Sequence, residues 1–162
     1  MMQEKILTIR SAMPEDTELV LSFIKDLADY EKLLHEVTAT EDDLRQSLFG
    51  NHPVAHVVIG EISGIPQGFA LYFYNYSTFL GRPGIYLEDL FVSPDARGSG
   101  LGKALILHLA KKAYAEGCGR MEWSVLDWNT PSIDFYDSLG AMPQDEWIGY
   151  RLDRAGLKKL SD

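Results

Sequence analysis

The element pattern written into this chain is that of an α/β (α+β) domain with a mixed sheet flanked by helices. Three observations predict it. Short β-branched and aromatic runs are spaced by turn residues, amphipathic helical stripes lie between some of them, and 162 residues suffice for one well-cored domain over 1–162. Residues 5–10 (KILTIR) alternate apolar and polar side chains, as a half-buried strand does. Pro14 suits a first helical position, and Leu19, Val20, Phe23, Ile24, Leu27 and Tyr30 recur at three- and four-residue steps. That stripe predicts a helix reaching about Leu34. Thr40 followed by Asp43 is akin to a capping box and opens a short helix through Phe49, ended by Gly50. Residues 54–61 and 68–76 read as a hairpin around 63–66, and 85–92 as a central strand. Residues 103–116 carry a helical stripe through Leu105, Ile106, Leu109, Ala110 and Ala113, with Gly117 as its cap. Residues 121–126 form a strand. Asn129 or Thr130 caps a helix that contains Pro131 and Tyr136 and stops at Gly140. A final strand over 147–152 completes the order βααβββαβαβ, and a short terminal helix over 154–160 follows it.

Composition removes several function classes. Fifteen Lys+Arg against twenty-four Asp+Glu give −9, which repels phosphate backbones and disfavours nucleic acid and anionic membrane as partners. No apolar run reaches the ~20 residues that span a bilayer, and the start MMQEK lacks a signal-peptide profile, so a cytoplasmic domain is expected. The single cysteine, Cys118, excludes an intrachain disulfide framework and a multi-cysteine zinc site. His35, His52, His56 and His108 show no metal-ligand spacing, and Pro53 argues against a helix face shared by His52 and His56. No metal is expected.

The most specific segment is the glycine cluster that ends Ala96-Arg97-Gly98-Ser99-Gly100-Leu101-Gly102-Lys103. A strand enters it and a helix leaves it, which aims unpaired N–H groups and the positive helix end at an anion. The spacing is GxGxG, so it is not the dinucleotide fingerprint GxGxxG. A Walker A loop needs glycine where Arg97 stands and Ser or Thr where Ala104 stands. Charge is graded along the chain as well. Residues 95–112 hold four bases (Arg97, Lys103, Lys111, Lys112) against Asp95, whereas 121–147 hold six acids and no base. A basic island between acidic stretches suits an anionic cofactor beside a cationic substrate.

Arg97-Gly98-Ser99-Gly100-Leu101-Gly102 resembles the (Q/R)xxGx(G/A) pyrophosphate-binding motif of GCN5-related N-acetyltransferases (GNAT). Tyr86-Leu87-Glu88-Asp89-Leu90-Phe91-Val92 precedes it as that family's pantetheine-binding strand would, and residues 128–136 (WNTPSIDFY) follow at the family's spacing. Residues 27–31, 49–53, 87–89 and 128–132 are similar to the spermidine/spermine (diamine) and thialysine acetyltransferase branch. The resemblance implies a mostly antiparallel central sheet, acetyl-CoA as cosubstrate, a small cationic amine as acceptor and a homodimer. It places the coenzyme on Leu90, Phe91, Val92, Arg97, Gly98, Ser99, Gly100, Leu101, Gly102, Lys103, Asn129, Pro131, Ser132 and Tyr136.

Acetyl transfer to an amine must remove a proton from the ammonium, stabilise a developing oxyanion and protonate the departing thiolate. The resemblance makes Glu88 the base, acting through water, Tyr136 the acid, and an N–H near Phe91 or Val92 the oxyanion donor. Strict strand alternation puts Asp89 on the opposite sheet face from Glu88, which leaves it an electrostatic or structural role. Tyr30 and Glu31 match an amine-side pair, and Phe79, Glu122, Trp123, Ser124 and Trp128 are candidate lining. Asn129 serves equally as a helix cap or a pantetheine partner. The polyamine enzymes carry an Asp and a Trp before the Leu-Glu-Asp strand. Here residues 75–81 offer Ser77 and Phe79 instead, which favours thialysine, lysine-like amino acids or short diamines over long polyamines. Two other readings stand beside this one. One is acetylation of a protein N-terminus or lysine; the other is a non-catalytic acyl-CoA-binding module, which would need neither Glu88 nor Tyr136.

Overall fold

The computed structural model describes residues 4–161, so Met1, Met2 and Gln3 of the N-terminal segment lie outside the described residues. The chain divides into two compact units, one up to Ser124 and one from Val125.

The first unit contains β1 (Leu7–Ser11), α1 (Thr17–Tyr30), α2 (Glu41–Phe49), β2 (His56–Ile62), β3 (Ile65–Ser77), β4 (Arg82–Val92), α3 (Leu101–Ala115) and β5 (Met121–Trp123). Its sheet runs β1-β2-β3-β4-β5. The first four strands pair antiparallel and β5 pairs parallel to β4, because α3 crosses over between them. The mostly antiparallel mixed sheet is therefore as expected. One sheet face packs on α1 and α2 through Val20, Phe23, Leu44, Leu48, Val57, Ile59, Phe69, Leu71 and Phe91. Phe69 is fully buried and stacks on Phe23 with ring centroids 5.4 Å apart. Truncation of such a ring to Ala costs ~3–5 kcal/mol. The other face takes α3 through Leu101, Leu105, Ile106 and Leu109, all buried.

Local chemistry sets the element ends. Thr40 Oγ1 accepts from the Asp43 N–H while Asp43 accepts from the Thr40 N–H, a true capping box. The β2–β3 connection is tighter than the sequence suggests: Ser63 and Gly64 alone make the turn, with φ of 50° and 82°. Helix α1 stops at Tyr30, short of Leu34. Lys32 adopts φ 61°, and the Leu33 N–H donates to Ala28 O at 2.7 Å, closing the helix with a left-handed residue where glycine is usual.

The second unit contains α4 (Thr130–Ser138) and α5 (Arg154–Ser161). The final strand expected over 147–152 is not formed. Alternating apolar residues make a strand only where a neighbouring ladder takes their N–H and C=O groups. Among the described residues none pairs with 147–152, and Trp147, Ile148 and Tyr150 are 75%, 79% and 95% exposed. Likewise, β5 ends at Trp123 and does not continue to Leu126.

Candidate active site

The second half of β4 organises the first unit's site. Leu71 pairs with Asp89 and Tyr72 with Leu87, so Glu88 is an extra, unpaired residue. This bulge breaks the alternation assumed from sequence. Asp89 shares the α1 face with Leu71, Phe69 and Phe91, while Leu87 shares the α3 face with Tyr72. Glu88 sits at the crossover, exposed to solvent. Alternation therefore does not separate Glu88 from Asp89, because the bulge places the two residues side by side. Burial pushes the Asp89 carboxyl up to about 7, with the charges of Glu88 and then Glu31 acting in the same direction. Glu31, just past the end of α1, is raised too, by burial first and by the Glu88 charge second. Three carboxylates from α1 and β4 thus share one electrostatic field.

β4 also has an open edge. β5 pairs with it only from Ile85 to Leu87, so among the described residues 88–92 have a strand neighbour on the β3 side alone. The Ser93 N–H donates to Gln67 O on the β3 side, so by alternation the main-chain groups of Leu90 and Val92 face that edge and those of Phe91 face β3.

The chain then enters the glycine loop. Gly98 and Gly100 have φ of 78° and 89°, a region that side chains strain to occupy, and Gly100 is the residue from which α3 starts. Ser99 Oγ accepts from the Leu101 N–H at 3.3 Å, and the first-turn N–H groups of Gly102 and Lys103 face out of the helix end. Leu101 anchors the loop from below. A Cβ on Gly60 of β2 would stand 2.8 Å from Leu101 Cδ1, so any larger residue there makes the Leu101 side chain shift. Arg97 and Lys103 are exposed, and among the described residues neither pairs with a carboxylate. Two uncompensated cations around a turn of glycines and free N–H groups fit the diphosphate of a coenzyme A.

The remaining candidates separate. Glu122 shares the Tyr86 side of the sheet, but its Oε1 accepts from Arg120 Nε at 2.9 Å and from Asn75 Nδ2 at 3.3 Å. Ser124 Oγ lies 3.0 Å from the Tyr86 hydroxyl. Trp123 pairs with Leu87, so it belongs to the α3 face, opposite Glu122. Phe79 stands at the tip of the β3–β4 hairpin, 92% exposed, and buried Ser77 spends its Oγ on the Leu80 N–H and on Arg120. In the second unit, Asn129 is buried and Oδ1 accepts from the Ser132 N–H at 3.4 Å, the cap geometry, with Pro131 in the first turn. Tyr136 lies on α4 with its ring 5.6 Å from that of Phe135, and Trp128 is half-exposed before the helix. Gly60, Asn75 and Arg120 are not among the sequence candidates, and Tyr86 enters there only as the first residue of the strand motif. Gly60 is visible as a glycine inside a strand, a known mark of close approach; the other three carry no local signal.

A family model described as the acetyltransferase (GNAT) family matches residues 21–141. Thialysine N-epsilon-acetyltransferase of Sus scrofa is 38% identical, over 94% of this chain and 96% of its own. L-ornithine N5-acetyltransferase of Arabidopsis thaliana is 32% identical, over 94% of this chain and 86% of its own. Among solved structures, an integron cassette protein from the mobile metagenome of V. cholerae superposes with a TM-score of 0.78 at 32% identity, covering 96% of this chain and 97% of that one. An aminoglycoside acetyltransferase from a soil metagenomic sample, 19% identical with a TM-score of 0.75 over 91% of this chain and 97% of that one, shares the fold.

Proposed function

We infer that this chain, which belongs to the acetyltransferase (GNAT) family, moves the acetyl group of acetyl-CoA onto the side-chain amine of a small, free, cationic amino acid. The observation that carries the reading is the cluster of Glu31, Glu88 and Asp89 beside an open strand edge that runs into the glycine loop. Carboxylates crowded this closely attract an ammonium, and the loop's N–H groups with Arg97 and Lys103 hold the coenzyme diphosphate. Glu88, exposed at the bulge, takes the ammonium proton through a water. The amine nitrogen then bonds to the acetyl carbon and the carbon–sulfur bond breaks. Tyr136 gives its proton to the thiolate, a role assigned on the resemblance; an N–H near Phe91 or Val92 holds the carbonyl oxygen, and the second proton that the nitrogen sheds on becoming an amide passes to solvent, from which Tyr136 is reprotonated. Thialysine and ornithine, named for two relatives, both pair an α-amino acid with a terminal amine. The pairing of Ser77 and Glu122 with Arg120 gives a second, distal ammonium no carboxylate of its own in that region, which favours such acceptors over long polyamines. The same reading takes residues 1–162 as one cytoplasmic acetyltransferase domain working as a homodimer, which sedimentation equilibrium measures.

The test is release of coenzyme A thiol with thialysine, L-ornithine, L-lysine, spermidine and amino-terminal peptides in parallel. Turnover on thialysine or ornithine above spermidine and peptide supports the reading. Turnover on peptides alone, or none with acetyl-CoA bound, overturns it.

A further inference from the structure

Arg97 and Tyr30 come from opposite ends of the site yet touch. The Arg97 guanidinium carbon lies 5.0 Å from the centroid of the Tyr30 ring, and Arg97 Nε donates to Val92 O at 3.4 Å. Tyr30 is the last residue of α1, so the cation also sits at that helix's negative end. Among the described residues, no hydrogen bond or ion pair engages the two terminal nitrogens of Arg97, in a chain with twenty-four acidic residues. One face of the guanidinium and one of its nitrogens are therefore held by protein, and its outer donor edge is left for an anion.

We propose that Tyr30 is a positioning residue on the coenzyme side of the site: its ring, with the Val92 carbonyl, holds the Arg97 guanidinium so that both terminal nitrogens face the phosphates cradled by the glycine loop. This moves Tyr30 away from the acceptor role implied by resemblance. It rests on the acetyl-CoA half of the proposed function and is independent of which amine is acetylated. A flexible arginine must otherwise be immobilised at the moment of binding, and a stacked ring removes much of that ordering cost beforehand.

The experiment is titration of coenzyme A into the wild-type protein, Tyr30→Leu, Tyr30→Phe, Arg97→Gln and the Tyr30→Leu/Arg97→Gln double variant. Tyr30 is partly exposed, so its replacements leave the core intact. An exposed cation–π contact corresponds to about a 2- to 5-fold change in affinity. Tyr30→Leu is expected to weaken coenzyme binding by that factor, Tyr30→Phe to restore it, and Tyr30→Leu to add nothing once Arg97 is Gln. In turnover, KM for acetyl-CoA rises by the same factor while kcat and the KM for the amine hold. Additive losses in the double variant, tighter coenzyme binding by Tyr30→Leu, or an effect confined to the amine KM each overturn the proposal. Wild-type protein that fails to bind coenzyme A at all refutes the proposed function, and this proposal with it. Coenzyme binding without turnover on any amine refutes only the acceptor reading.

Discussion

Two regions lean on the second half of β4, and they are built by opposite means. The loop from Arg97 to Gly102 offers main chain: glycines at positive φ, helix N–H groups and a buried leucine beneath them. The carboxylates Glu31, Glu88 and Asp89 offer side chains, brought together from α1 and from a bulged strand. On the proposed function, the main-chain cradle recognises what every acyl-coenzyme A shares. A side-chain cluster recognises whatever acceptor matches its charge, and it can change without disturbing the cradle. Binding of the coenzyme and handling of the amine proton should therefore fail separately.

The largest test of that separation is Glu88→Gln. Loss of a positioned base is expected to lower kcat by about 10²- to 10⁴-fold, with coenzyme affinity by calorimetry within about twofold of wild type. A comparable loss of coenzyme affinity would mean that the two regions are one. Gly100→Ala probes the other side. A side chain forced to φ 89° costs about 1–2 kcal/mol, so coenzyme affinity falls by roughly 5- to 30-fold while kcat at saturation stays near wild type. The smallest effect belongs to Asp89→Asn and is read in stability. Asp89 titrates at 3.8 when unfolded and at about 7 when folded, so between those values the folded state binds more protons. Wild-type stability from this group is thus full below about pH 4, declines as pH rises, and reaches its floor above about pH 7. Asp89→Asn should remove that decline, raising the melting temperature at pH 8 by about 2–6 °C over wild type with little change at pH 4. An unchanged slope would place Asp89 outside the shared field.

The same contrast explains which features are legible in the sequence alone. The glycine loop was legible because its parts are adjacent in sequence and each has a local reason: positive φ, helix start, anion. The Thr40 capping box was legible for the same reason, since both partners lie within one turn. The carboxylate field was legible only through resemblance. Glu31 and Glu88 are distant in sequence, and the bulge that aligns Glu88 with Asp89 is a property of the pairing between β3 and β4. The strand anticipated over 147–152 shows the same gap from the other side, because alternation describes a side-chain pattern and says nothing of a partner ladder. The early stop of α1 depends on a left-handed Lys32, a conformation with no signature in a lysine.

The bulge at Glu88 also lets one strand serve two cores. Before it, Ile85 and Leu87 are buried toward α3; after it, Asp89 and Phe91 turn toward α1. Deleting Glu88 would join Leu87 to Asp89 in plain alternation, with each remaining side chain on the face it now holds, and would remove only the acid at the crossover. The acid at the crossover is held in place by the pairing of β3 with β4, so on the proposed function new acceptors arise by changing the side chains around a proton-transfer point that stays still.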